Sequence, residues 1–157
     1  LGAAVSTFLS QNYGACKLER IHDGYRKGVM VSIIYGVFAC VVMVFFGRIL
    51  SMMFVSANES QVLNASALYL RRMGYFYPVL GILITTRMSV QGLGYSARAM
   101  LAGFVEMIAR CIVALCFVPV FKYNAITWAD QTAWVAAALV LIPLWISAIR
   151  AVQKKMC

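Results

Sequence analysis

The chain has 157 residues, of which 63% are hydrophobic and only 12% charged, and its mean hydropathy is +0.84. A soluble domain of this size carries about 25% charged residues and still exposes about a third of its unfolded surface, so the composition excludes an ordinary water-soluble fold. The basic residues behind the net charge of +9 flank apolar runs and form no single stripe, which argues against a nucleic-acid-binding protein.

Long apolar runs alternate with short basic segments along the chain. A hydrocarbon core of about 30 Å requires about 20 helical residues, so four of these runs predict full membrane-spanning helices. The predicted spans are residues 28–50, 69–93, 99–121 and 132–149. Residues 1–9 are apolar but too short to span, and without a basic n-region or cleavage site they predict the end of a partial span instead of a signal peptide. We therefore expect an all-α membrane bundle in which residues 1–157 form a single membrane domain.

The first connection, residues 10–27, is the most polar part of the chain. Its sequence Asn12-Tyr13-Gly14 predicts a helix stop, and the residues after it have the spacing of an amphipathic helix that lies at the interface and runs into the first span. In the second connection, Ser56 or Asn58 is expected to cap the next helix.

The two later connections are shorter. Residues 91–96 contain Gly92 and Gly94 and predict a tight turn in which glycine supplies a positive φ. Residues 122–130 are expected to join the third and fourth spans, with Asp130 as a solvated helix cap.

The basic residues in the connections also predict an orientation, because Lys and Arg are enriched on the cytoplasmic side of membrane proteins. With four spans, eight lie on the side that includes the C-terminus: Lys17, Arg20, Arg26, Lys27, Arg98, Arg150, Lys154 and Lys155. Four lie on the other side: Arg48, Arg71, Arg72 and Lys122. We therefore expect a protein integral to the plasma (inner) membrane with a cytoplasmic C-terminus.

No pattern in the sequence favours an enzyme or a bound cofactor. The five cysteines show no Cys-x-x-Cys or Cys/His metal spacing, and there is neither a nucleophile constellation nor a phosphate-binding loop. The cysteines are interpreted as small apolar packing residues.

Charged residues within the predicted spans are the candidates for function. Glu106 and Arg110 are four residues apart and share one helix face, so Glu106 is either a proton or cation site beside a cavity or one half of a structural ion pair. Arg87 is expected either to reach toward the headgroups or to line a substrate path. Gln91 is expected to bond across helices or to cap the turn.

Aromatic residues and prolines supply further candidates. Tyr77 is a candidate for the substrate pathway, through cation–π contact with flat cations, although rings near span ends also favour the interface. Pro78 and Pro143 lie inside predicted spans and are candidate hinges, because proline removes a helical hydrogen bond.

Several short motifs occur in register along the chain: STF and QNYGA between residues 6 and 15, then Arg20 to Gly28, FYP at 76–78, Arg87 with QGLG at 91–94, and Glu106 with Arg110. Together with the Ala-Trp pair at 133–134, their order and spacing resemble the multidrug and toxic compound extrusion (MATE) family.

The resemblance implies a twelve-helix transporter with two six-helix lobes, and residues 1–157 would form most of the second lobe, from the end of helix 8 through helix 12. It implies an antiporter that exports drugs, organic cations or other small amphiphiles by alternating access, coupled to H⁺ or Na⁺, with the lipid bilayer and an N-terminal lobe as partners. Residues 77–82 lack the carboxylate of the sodium-coupled branch, so coupling would use Glu106 or an acid in the first lobe. The alternatives are a lipid-linked saccharide flippase of the same superfamily and a non-transporting membrane scaffold subunit.

Overall fold

The computed structural model describes residues 1–54 and 59–156, which form only helices and their connections. The bounds are α1 Gly2–Gly14, α2 Leu18–Met52, α3 Ser60–Tyr75, α4 Tyr77–Gly92, α5 Ser96–Ile112, a π-helical segment Val113–Phe117, α6 Val118–Phe121 and α7 Tyr123–Met156. The all-α bundle is therefore confirmed. The predicted cap at Ser56 or Asn58 lies outside the described residues.

Three helical stretches are long and apolar enough to cross a membrane: Leu18–Met52, Ser96–Phe121 and Tyr123–Lys155. The predicted spans 28–50, 99–121 and 132–149 fall inside them. Large apolar side chains cover the outside of the bundle, for example Phe38 at 65% and Phe45 at 75% exposure. A soluble monomer does not present apolar surface on this scale, so lipid is the surrounding solvent.

The predicted span 69–93 contains a break in the helix. α3 and α4 have 16 residues each and meet at Phe76, whose φ is −101° and ψ 1°. Pro78 follows in the first turn of α4, where the absence of an N–H costs no helical hydrogen bond. The candidate hinge Pro78 thus lies beside a real discontinuity, whereas Pro143 lies inside the continuous helix α7.

The connection predicted at residues 122–130 is wrong. α7 already begins at Tyr123, and Lys122 alone links it to α6, with a φ of 48°. These residues are helical because their inner face packs into the bundle, where Ala125 and Thr127 are buried. The π-helical segment before α6 was not predicted either. Pro119 follows it in the first turn of α6, where its missing N–H and its ring oppose a regular α-helical bond to the preceding turn.

Small residues let α2 approach its neighbours closely. Gly24, Gly28, Ser32 and Gly36 recur every four residues and form one stripe along α2. A Cβ at Gly36 would lie only 2.7 Å from the Cα of Pro78. Such small-residue stripes are the usual means of tight helix packing in membranes.

Two of the turns are built as the sequence predicts. α1 ends at Gly14, and α2 runs without interruption from the polar connection into the first predicted span. In the turn at 91–96, Gly94 has a φ of +88°. Gly92 is helical instead, and a Cβ there would lie 2.6 Å from the Ser6 carbonyl oxygen.

The segments predicted to share one side of the membrane lie at one end of the bundle. Tyr25 stacks on Trp145 at 4.0 Å, and the Lys155 ammonium lies 5.8 Å from the ring centre of Tyr95. We call this end, formed by residues 10–27, 93–98 and 150–156, the basic end.

Candidate functional site

Arg87 and Glu106 form an ion pair between two helices. The Arg87 guanidinium of α4 donates to the Glu106 carboxylate of α5. The Glu106 side chain is only 12% exposed and that of Arg87 24%. Arg87 is therefore held by a carboxylate, which the sequence did not predict. An unpaired charge at this depth would be costly, and pairing lowers that cost.

Arg110 connects this pair to a second carboxylate. Its Nη2 lies 3.7 Å from Glu106 Oε2, one helical turn back along α5. Its Nε donates to Asp130 Oδ1 of α7 at 3.0 Å. The expectation that Asp130 is a solvated helix cap is wrong: it lies inside α7 with a side chain 27% exposed, because Arg110 faces it from α5.

Tyr69 of α3 completes the network by donating from its hydroxyl to Asp130 Oδ2 at 2.8 Å. The chain of contacts from Arg87 through Glu106, Arg110 and Asp130 to Tyr69 thus joins α3, α4, α5 and α7. Its two arginines and two carboxylates balance in formal charge. We call these five residues the charge network.

Two side chains, one beside the charge network and one within it, have buried polar atoms without a partner among the described residues. Gln131, next to Asp130, is 1% exposed, and neither its amide nitrogen nor its amide oxygen is hydrogen-bonded there. The Arg87 Nε is likewise buried without an acceptor. Such atoms are expensive to leave unsatisfied, so this region holds more hydrogen-bonding capacity than the described contacts use.

The other predicted site residues lie at the edges of the charge network. Gln91 shares an open groove of about 380 Å³ between α4 and α5 with Arg87, Met100, Phe104 and Met107. Tyr77 packs edge-to-face against Trp134 of α7, with ring centres 6.3 Å apart. The structure therefore brings Glu106, Arg110 and Arg87 into direct contact and leaves Tyr77 in an aromatic contact of its own.

Asp130 and Tyr69 are the network members that sequence reasoning missed, and a signal for Asp130 was available. Residues 120–142 contain neither glycine nor proline, which favours a helix that begins well before the predicted span at 132. On such a helix Asp130 is an interior residue. A third missed contact is Arg72, which donates to Asn124 at 3.1 Å and to Thr127 on the same face of α7.

No group of three or more His, Cys, Asp or Glu side chains that could hold a metal ion occurs within residues 1–54 and 59–156. The charge network is thus an alternation of cations and anions instead of a cluster of ligands.

The family model named MatE matches residues 1–116 of the chain. The matched part includes Arg87, Glu106 and Arg110 and ends before Asp130. No curated protein and no solved structure matches the chain. Because the model covers most of its length, the chain belongs to the MATE family of membrane transporters, and it is an integral membrane protein.

Proposed function

We propose that the chain forms most of the second lobe of a cation-coupled antiporter that exports drugs and other small organic cations by alternating access. Family membership supports transport, and the charge network supports coupling to an ion. Four helices meet at this network, so a change in one ion pair bears directly on how those helices pack. In this proposal the lobe works against an N-terminal lobe, with the substrate site between them.

Arg110 is the residue through which coupling would act. It contacts Asp130 at 3.0 Å and Glu106 at 3.7 Å, and so serves two carboxylates on two helices. A proton or Na⁺ that arrives at Asp130 competes with Arg110 for the carboxylate. Arg110 then relies on Glu106 within its own helix, and the α5–α7 contact weakens.

The same residues also fit a purely structural lock, which would hold the helices without any exchange. The observation that favours exchange is the set of buried atoms without partners, Arg87 Nε and both amide atoms of Gln131. A purely structural lock keeps one set of bonds throughout, so its buried donors and acceptors would be expected to be satisfied. Spare donors and acceptors beside the carboxylates fit a network that adopts a second set of bonds during the cycle.

The basic end is proposed to be cytoplasmic, which places the C-terminus inside the cell in the plasma (inner) membrane. The bias of eight basic residues to four supports this orientation. It also places the break at Phe76 toward the opposite half of the bundle, where Pro78 is a proposed hinge.

The test reconstitutes the two-lobe transporter in liposomes and follows uptake of a fluorescent organic cation driven by an imposed proton or sodium gradient. We expect Glu106→Gln and Asp130→Asn each to reduce gradient-driven uptake at least tenfold, because each removes a carboxylate for which the coupling ion competes.

The matched control is Glu59→Gln, which removes an exposed carboxylate just before α3 and should leave uptake within twofold of wild type. Unchanged coupling in both network variants, at unchanged expression, would assign the charge network to packing alone. A wild-type protein that moves no organic cation under either gradient would contradict the transport proposal and favour a scaffold or a flippase.

A further inference from the structure

A groove at the basic end concentrates positive charge on one face of α7. It has a volume of about 450 Å³ and is lined by Arg98, Pro143, Ile146, Ser147, Arg150, Ala151 and Lys154. Counted from Pro143, the α7 members lie three, four, seven, eight and eleven residues further along, which is the spacing of a single stripe on one helix face. The end of the stripe near the helix terminus is cationic, and the end toward the middle of the bundle, Pro143 and Ile146, is apolar.

The cations of this groove have no acidic partner among the described residues. The ion pairs among the described residues join Lys27 to Asp23 and connect the charged members of the charge network. None of these ion pairs includes Arg98, Arg150 or Lys154. Glu19 and Glu59, the remaining acids of the sequence, do not line the groove.

Arg98 lies in the first turn of α5, where a positively charged side chain is electrostatically unfavourable. It is the third residue of α5, at the end where the helix dipole is positive. It is nevertheless held in place, because it donates to Ser147 Oγ at 3.2 Å and its guanidinium lies 4.4 Å from the ring centre of Tyr95. Enrichment of basic residues on one side of the membrane accounts for their number, but not for their convergence on one groove.

The ligand chemistry that fits is an anionic group at the membrane surface with an apolar tail. Guanidinium and ammonium groups together recognise phosphate oxygens, and Ser147 adds a hydroxyl. Pro143 and the 41%-exposed Ile146 continue the stripe along the lipid-facing surface, where an acyl chain would lie. Basic pockets between membrane helices are known to bind lipid headgroups in this way. We propose that this groove binds the headgroup phosphate of an anionic phospholipid and bridges α5 to α7 through it.

The test places the transporter in nanodiscs of equal phosphatidylglycerol and phosphatidylcholine and counts retained lipids by native mass spectrometry after release. We expect phosphatidylglycerol to exceed phosphatidylcholine at least fivefold in the wild type. In Arg150→Gln/Lys154→Gln the excess should fall below twofold. The matched control Arg20→Gln/Arg26→Gln removes two exposed cations of the same end outside the groove and should retain the fivefold excess.

An equal loss in the two double variants would show general surface attraction and overturn the proposal, as would an unchanged excess in the groove variant. Arg98→Gln supplies a further readout, since Arg98 is the groove cation that α5 contributes and its removal should reduce the excess by itself. A final arm adds inorganic phosphate at millimolar concentration. Displacement of the lipid by free phosphate would assign the groove to soluble phosphate and contradict a lipid site. None of these outcomes depends on the proposed antiport, because lipid retention is measured without a gradient or a substrate.

Discussion

At the scale of single residues, Glu106 matters because two arginines contact one carboxylate. Arg87 approaches from α4, and Arg110 approaches from the next turn of α5 and also contacts Asp130. Removal of any charged member of the network leaves a charge of opposite sign short of a partner in a largely apolar environment. The cost of that orphaned charge, more than the strength of the original pair, governs what a substitution does.

Arg87→Ala tests this directly. The change leaves Glu106 with Arg110 alone, at 3.7 Å. We expect the free energy of unfolding to fall by about 2 kcal/mol, less than for a fully buried pair because both side chains retain some exposure. Thermal unfolding of the purified transporter in detergent measures it. Arg20→Ala, an exposed site on α2, serves as the control and should change stability by less than about 0.5 kcal/mol. Equal melting temperatures for the two variants would contradict the expectation.

Tyr69→Phe probes the other end of the charge network. It removes the hydroxyl that donates to Asp130 Oδ2 at 2.8 Å and should cost about 1 kcal/mol. In a double-mutant cycle with Asp130→Asn, the two changes should be coupled by at least about 0.5 kcal/mol, since they share one hydrogen bond. A cycle that pairs Asp130→Asn with Tyr35→Phe, whose ring is 67% exposed, should show no coupling. Additive effects in the first cycle would mean that the Tyr69–Asp130 bond contributes nothing to stability.

At the scale of elements, Gly24 and Gly28 of the small-residue stripe of α2 face α1, whereas Ser32 and Gly36 set the close approach of α2 to α4. Gly36 faces the backbone beside Pro78, at the break between α3 and α4. The same contact surface includes the hydrogen-bonded hydroxyls of Ser32 and Thr85. A hinge at Phe76 would therefore move against a backbone that is already in close contact.

Gly36→Ala should destabilise the bundle, because its Cβ would lie 2.7 Å from the Pro78 Cα and only a backbone shift can relieve that contact. The control is Gly103→Ala in α5, where a Cβ would meet nothing within 4 Å. This control should be neutral or stabilising by up to about 1 kcal/mol, because alanine is the better helix former. The melting temperature of each variant in detergent is compared with that of the wild type. An unchanged value for Gly36→Ala would show that α2 packs more loosely against α4 than this contact implies.

Helix periodicity and hydropathy were sufficient to predict the class of the fold and the positions of the three long apolar stretches. They did not predict the break at Phe76 or the early start of α7, because hydropathy alone does not show where a helix begins, although Pro78 lies beside the break and residues 120–142 contain neither glycine nor proline. The run across Phe76 carries no charged residue between Arg72 and Arg87, and residues 123–130 become helical as their inner face packs against the rest of the bundle. The stripe of Gly24, Gly28, Ser32 and Gly36 could have been found from its four-residue spacing.

The candidate site was predicted in part for the same physical reason. Glu106 and Arg110 are neighbours on one helix, so spacing alone pairs them. The partners from other helices, Arg87 and Asp130, depend on how α4 and α7 pack against α5, which the sequence does not state. Asp130 lies outside the predicted span 132–149, where a carboxylate is expected to be solvated, but α7 begins at Tyr123 and carries it to Arg110.

At the scale of the whole molecule, the basic end defines a proposed cytoplasmic face. Cys16, an exposed residue in the turn between α1 and α2, lies at that end. With the other four cysteines replaced by alanine, a membrane-impermeant maleimide should label Cys16 in inside-out vesicles and leave it unlabelled in right-side-out vesicles.

The control for that topology is Gln61→Cys, an exposed position at the start of α3 near the opposite end, introduced with Cys16 also replaced. It should show the reverse pattern. Labelling of Cys16 from the outside would invert the orientation, although the fold and the charge network would stand.

Coupling of substrate export to cation entry through the charge network is tested by measuring both fluxes together. Proteoliposomes that contain the transporter and a pH- or sodium-sensitive dye are given an organic cation on one side. We predict that the substrate drives counter-movement of H⁺ or Na⁺ in the wild type and that Glu106→Gln abolishes this counter-movement. Substrate movement with no ion counter-movement in the wild type, or full counter-movement in Glu106→Gln, would contradict this prediction.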